Sequence, residues 1–223
     1  ISPNPDLIWD LIGKIDRERV LTDLRFLTGV EPICTQGDCY TITNRETESK
    51  GLKWAREYVY EELNMLGYSV ERLDWSLEGY SDQNLVARSR GVVSPDKEIY
   101  FVAHLDGIDS PAADDDASGV VSLLELARVI NRESLKNSVV LLFTTGEEQG
   151  ALGARSYVNQ LNADQLKAIQ YAISVEMLSY DSNNDGAMQL WSGDQPVDFV
   201  QRLSEVILTY EPGLRPQIVT GCG

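Results

Sequence analysis

Two uninterrupted apolar runs, EIYFVA at 98–103 and SVVLLFT at 138–144, constrain the fold of this chain most tightly. Runs of that length with no polar alternation suit strands buried on both faces. Between them, GVVSLLELARVI at 119–130 is apolar at helical spacing, and AIQYAISV at 168–175 supplies a further buried-strand candidate. Upstream, 16–27 and 48–66 carry apolar residues on one helical face, and Gly29 and Gly67 stop them. The alternating stretch 68–75 and the stretch 84–89 read as strands, and 196–210 as a last helix. Strand, helix and strand in repeated succession predict an α/β fold: a mostly parallel central sheet with helices on both faces. No repeat or long linker divides residues 1–223, which read as one domain.

In such sheets, functional groups collect beyond the carboxyl ends of the strands. Three acidic clusters fall there. The first is HLDGIDSPAADDDASG, 104–119, which opens with the only histidine of the chain. Glu147 and Glu148 follow the 138–144 run, and Glu176 follows 168–175. Taken singly, each has an ordinary reading. Asp114, Asp115 and Asp116 suit a helix N-terminus, Glu147 and Glu148 suit the first turn of a helix running through Arg155, and Glu176 suits a solvated loop. Taken together, they converge on one sheet edge. Converging carboxylates repel, and a divalent metal relieves that repulsion. The spacing His104-x-Asp106 suits a ligand and the carboxylate that orients its ring.

Composition excludes other classes. The formal charge is −16, from 35 acidic and 19 basic residues, which argues against nucleic acid and anionic membrane as partners. No apolar run reaches the ~20 residues of a membrane span. Cys34 and Cys39, in the short loop CTQGDC, predict a disulfide and hence an exported, extracellular protein; a lone CxxxxC pair makes a poor zinc site. Cys222 is left over and implies a missing partner. The opening ISPNPDLIW has no methionine and reads as a processed or excised form.

At HLDGIDSPAADDDASG, TTGEEQGALGARS and SVEMLSYD, the chain resembles the M28 family of zinc aminopeptidases, of the bacterial leucyl aminopeptidase type. That resemblance implies a three-layer zinc-peptidase sandwich. It also implies a two-zinc site with His104, Asp115, Glu148 and Glu176 as ligands, Asp115 bridging. Asp106 would orient His104, Glu147 would be the general base, and Met177 would line the pocket for the first side chain. The activity implied is hydrolysis of peptides with a free N-terminus by a secreted monomer. The family's fifth ligand, a histidine, would lie beyond TGCG at the end of the chain, so the sequence reads as truncated at its C-terminus and inactive by itself. The other readings are a non-catalytic, protease-like interaction module and a carboxypeptidase of the same family.

Overall fold

Both apolar runs lie in neighbouring strands at the heart of a five-stranded sheet. The computed structural model describes residues 5–35, 37–193 and 197–221. In chain order the first elements are α1 (Pro5–Ile12), α2 (Arg17–Leu27), β1 (Ile33–Thr35), β2 (Asp38–Tyr40), α3 (Lys50–Met65), β3 (Val70–Leu77), β4 (Tyr80–Ser89) and β5 (Ser94–His104). There follow α4 (Gly119–Ile130), β6 (Asn137–Thr144), α5 (Leu152–Gln160), α6 (Ala163–Ala168), β7 (Ile169–Ser174), β8 (Ala187–Ser192), α7 (Val197–Tyr210) and β9 (Arg215–Thr220). The chain divides into two compact units, Asp10–Ser179 and a smaller one of Ile1–Trp9 with Tyr180–Gly223.

In the larger unit the strand order is β3-β4-β6-β5-β7. The α/β architecture is as expected, but the sheet is mixed. β5 runs parallel to β6 and β7, while β4 runs antiparallel to both β3 and β6. The cause is local. Glu78 and Gly79 form a two-residue connection with φ of 56° and 90°, and two positive φ angles in succession make a tight hairpin.

The pleat of β6 decides how the layers pack. Val139, Leu141 and Phe143 face one core with Leu52, Val59 and Leu63 of α3 and Val120, Leu124 and Ala127 of α4. Val140 and Leu142 face the other, with Val86, Tyr100 and Tyr157 of α5. Helices therefore cover both faces. Caps fix the helix starts: Asp16 accepts from the Arg19 N–H at 3.1 Å, and Ser49 from the Leu52 N–H at 3.0 Å.

The smaller unit holds the parallel pair β8–β9, in register from Ala187↔Arg215 to Ser192↔Thr220, with α7 as its crossover. The rings of Trp9 and Tyr210 meet edge-on at 5.2 Å. Pro196, with which the last predicted helix begins, and Cys222 lie outside the described residues. No helix among the described residues is long and apolar enough to cross a membrane.

Cys34 and Cys39 face each other across the β1–β2 hairpin and are disulfide-bonded. In the unreduced protein, neither should take up iodoacetamide, and both should do so after reduction. Labelling of the pair before reduction, read by peptide mass, would contradict the bridge.

Candidate metal centre

Parallel pairing of β5 and β6 sets His104 opposite Thr144 at their carboxyl ends. The loops that continue from these strands therefore open on the same edge of the sheet. His104 is 2% exposed and ends β5. Its Nε2 lies 2.9 Å from Asp115 Oδ1, and its Nδ1 faces Asp106 Oδ1 at 3.6 Å. Ligand atoms of His104, Asp115 and Glu148 all fall within 4.8 Å of one another. Sequence reasoning named these three, and the fold brings them together.

The three consecutive aspartates do three different things. Asp114 Oδ1 accepts from the N–H and hydroxyl of Ser179, both at 2.8 Å. Asp115 turns to His104. Asp116, fully buried, accepts from the His104 N–H at 3.1 Å and the Gly119 N–H at 2.9 Å, tying the end of β5 to the start of α4. The chain makes this division by leaving helical geometry: the Asp115–Asp116 peptide is cis, and Asp115 has φ −108° and ψ 92°. Gly119 permits the close approach behind them, since a Cβ there would stand 2.1 Å from the Val175 carbonyl oxygen.

Glu147 and Glu148 are not in the first turn of a helix, because α5 begins only at Leu152. Gly146 at φ 73° breaks the path out of β6, and the Gly150 and Ala151 N–H groups close a turn on the Glu147 carbonyl at 2.8 and 2.7 Å. Asp106 anchors this turn, accepting from the Glu148 N–H at 3.1 Å. Thr47 adds a hydroxyl between Asp106 Oδ2, at 3.5 Å, and the Gln149 side chain.

Electrostatics mark the cluster as strained in charge. Burial disfavours the His104 cation, but Asp106 above all, with Asp116 and Glu147, overcomes burial and lifts its pKa to about 9. Asp106 is likewise buried, yet His104 and the N–H groups of Glu148 and Glu147 hold it below the usual carboxylate value. Burial pushes Asp116 up to about 7. Glu147 is raised by burial and by Glu176, Asp106 and Asp115; Glu148 is raised by burial and then by Asp115.

Glu176 is not one of the three whose donor atoms fall within 4.8 Å, but its charge acts on Asp116 and Glu147. It is exposed, and its Oε1 accepts from the Ser174 hydroxyl at 3.3 Å. Met177, exposed and at φ 51°, follows on a loop pinned by the Leu178 N–H to Ser118 Oγ at 2.9 Å.

One residue escaped the sequence reading. Arg45 is 1% exposed, and its guanidinium donates to the carbonyls of Leu105 (2.7 Å), Leu27 (3.1 Å), Pro111 (2.7 Å) and Ala112 (3.0 Å). A lone arginine in the polar stretch TNRETES carries no periodicity that would reveal burial.

These residues fit a divalent ion. One imidazole and several carboxylates form a donor set that zinc accepts. His104 Nδ1 and Asp106 Oδ1 are both buried without a hydrogen-bond partner, and a small approach would complete the pair. Burial and then the neighbouring carboxylates raise Glu147 and Glu148, and a cation would neutralise that excess negative charge.

A carboxylate-rich donor cluster at the carboxyl edge of the parallel strands lies where open α/β sheets gather functional groups. Residues 84–218, more than half of the chain, match the model of Peptidase family M28, and the chain belongs to that family. It is 32% identical over 123 residues to a probable leucine aminopeptidase 2 of Aspergillus oryzae, a match covering 55% of this chain and 24% of that protein. The chain thus spans about a quarter of that relative's length. The fold is shared with BSAP, a zinc aminopeptidase from Bacillus subtilis (TM-score 0.79, 12% identity, covering 94% of this chain and 80% of that one). It is also shared with the glutaminyl cyclase of Macrostomum lignano (TM-score 0.76, 16% identity, 100% and 77%).

Proposed function

We propose that this chain carries the catalytic centre of a secreted, monomeric, zinc-dependent aminopeptidase. The observation that carries the reading is the convergence of His104, Asp115 and Glu148 at the carboxyl ends of β5 and β6, in a chain of family M28. His104, Asp115 and Glu176 would hold one zinc ion, with Asp115 and Glu148 contributing to a second. Bound there, zinc supplies Lewis acidity toward the attacking water and the scissile carbonyl.

The chain's own groups supply the rest. Burial first, and then neighbouring carboxylates, raise the proton affinity of Glu147, which suits a group that takes a proton from water and passes it to the leaving amine. Asp106 orients His104 through Nδ1 and, through the Glu148 N–H, the turn that carries both glutamates. The acidic rim favours a substrate with a free α-ammonium group, and Met177, exposed on the loop after Glu176, would line the pocket for the first side chain.

The test uses the full-length protein, with and without chelator. Leucine anilide should be hydrolysed, its N-acetyl counterpart should not, and activity should vanish with zinc and return with it. Zinc-loaded protein that leaves every free-amine substrate intact would refute the reading. Cyclisation of an N-terminal glutamine in place of hydrolysis would assign the other chemistry found on this fold. Release of C-terminal residues would assign a carboxypeptidase.

A further inference from the structure

Arg45 lies outside the matched residues 84–218, yet it reaches into the centre of the loop that joins two proposed ligands. That loop runs from His104 and Asp106 to Asp115. The guanidinium bonds it near its start, at the Leu105 carbonyl, and near its end, at the Pro111 and Ala112 carbonyls. The backbone of the same residue adds two more bonds: the Arg45 N–H donates to the Ser110 carbonyl at 3.2 Å, and the Arg45 carbonyl accepts from the Gly107 N–H at 3.1 Å. The fourth guanidinium bond, to Leu27, fastens the assembly to the end of α2. Two residues on, Thr47 touches Asp106 and Gln149. One short segment thus straps both ligand-bearing loops.

We infer that Arg45 is a positioning residue for the metal centre, fixing the separation between His104 and Asp115 by clamping the loop between them; the inference rests on the proposed zinc reading. All four bonded partners of the guanidinium are uncharged carbonyls, so its positive charge is not spent on an ion pair. Burial lowers its pKa to about 10, against the pull of Asp116, Asp106, Asp115 and Glu148, and it stays charged at neutral pH. Two effects on zinc therefore oppose each other. The charge repels an incoming cation, while the clamp holds the ligands in place before it arrives. With four bonds of 2.7–3.1 Å holding the loop and the end of α2, the clamp is expected to outweigh the repulsion.

The sign of a measured change separates them. Lysine keeps the charge, but a single ammonium cannot meet four carbonyls that a planar fork reaches. In the full-length protein, with folding checked by circular dichroism, zinc affinity is read by chelator competition. Arg45→Lys should weaken it by about 10-fold and Arg45→Gln by ~10–100-fold, the range found when groups that orient metal ligands are removed. A purely structural arginine would lower the melting temperature and leave zinc affinity of the folded protein unchanged. Unchanged affinity in Arg45→Lys, or tighter binding in Arg45→Gln, would overturn the inference. Should Arg45→Gln fail to fold, Arg45→Lys alone decides. Wild-type protein that binds no zinc would instead defeat the metal reading on which the inference stands.

Discussion

Glu147→Gln is expected to keep zinc and lose turnover by ~10²–10⁴-fold, the usual cost of removing a general base. The amide matches the carboxylate in shape but cannot accept a proton at neutral pH. Glu147 is outside the trio of converging donor atoms, so metal content should not depend on it. Glu148 belongs to the trio, and Glu148→Gln should lose zinc along with activity. The two neighbours are told apart by measuring kcat and zinc content on the same preparations. The difference has a structural source: both leave β6 at one turn, whose backbone is held by Asp106, so one side chain is committed to the donor cluster while the other stays beside it. If Glu147→Gln emptied the site while Glu148→Gln stayed loaded, the roles assigned here would be exchanged.

Arg128→Met should destabilise the protein by ~3–5 kcal/mol, the cost of removing the more buried of two cations from a buried charge cluster. Arg128 joins three acids from three helices: Asp23 of α2 at 2.7 Å, Glu62 of α3 at 2.9 Å and Glu125 of α4 at 3.1 Å. Asp23 is fully buried, and burial already raises its pKa despite bonds from Tyr58 and Arg128. Arg19 also pairs with Glu62 and, at 3.4 Å, with Asp23, but it is more exposed and makes no pair with Glu125 among the described residues. At ~2–4 °C per kcal/mol for a chain of this size, the melting temperature should fall by about 6–20 °C. Adding Asp23→Asn should recover part of the loss, because it removes one of the orphaned charges. A fall of only a degree or two would mean that water reaches the cluster.

The central strands were legible because continuous apolar runs have few alternative folds. The α2, α3 and α4 helices were legible because their apolar faces repeat. The mixed direction of the sheet is not legible in the apolar pattern, although its cause, the Glu78–Gly79 turn, stands in the sequence. The short pairs β1–β2 and β8–β9 also went unread, since three to six residues give no periodicity to count. At the site, His104, Asp115 and Glu148 were legible by residue type and strand-end location. The different tasks of Asp114, Asp115 and Asp116 were not, because they arise from backbone angles that identical neighbours do not announce. Arg45 was invisible for a related reason: its partners are main-chain carbonyls distant in sequence, which leave no signature in side-chain pattern.

The position of β6 has a consequence in time. It lies between β4 and β5, both of which leave the ribosome before it. Until 137–144 has been made, those two strands present facing edges with no partner, and unpaired apolar edges are where nascent chains misassociate. The β3–β4 hairpin can close early because its contacts are local. The parallel pairing with β5 cannot, and it alone sets His104 opposite Thr144. The donor cluster around His104 therefore comes into being only after that strand is made, and a chain halted before it leaves two strand edges open to misassociation.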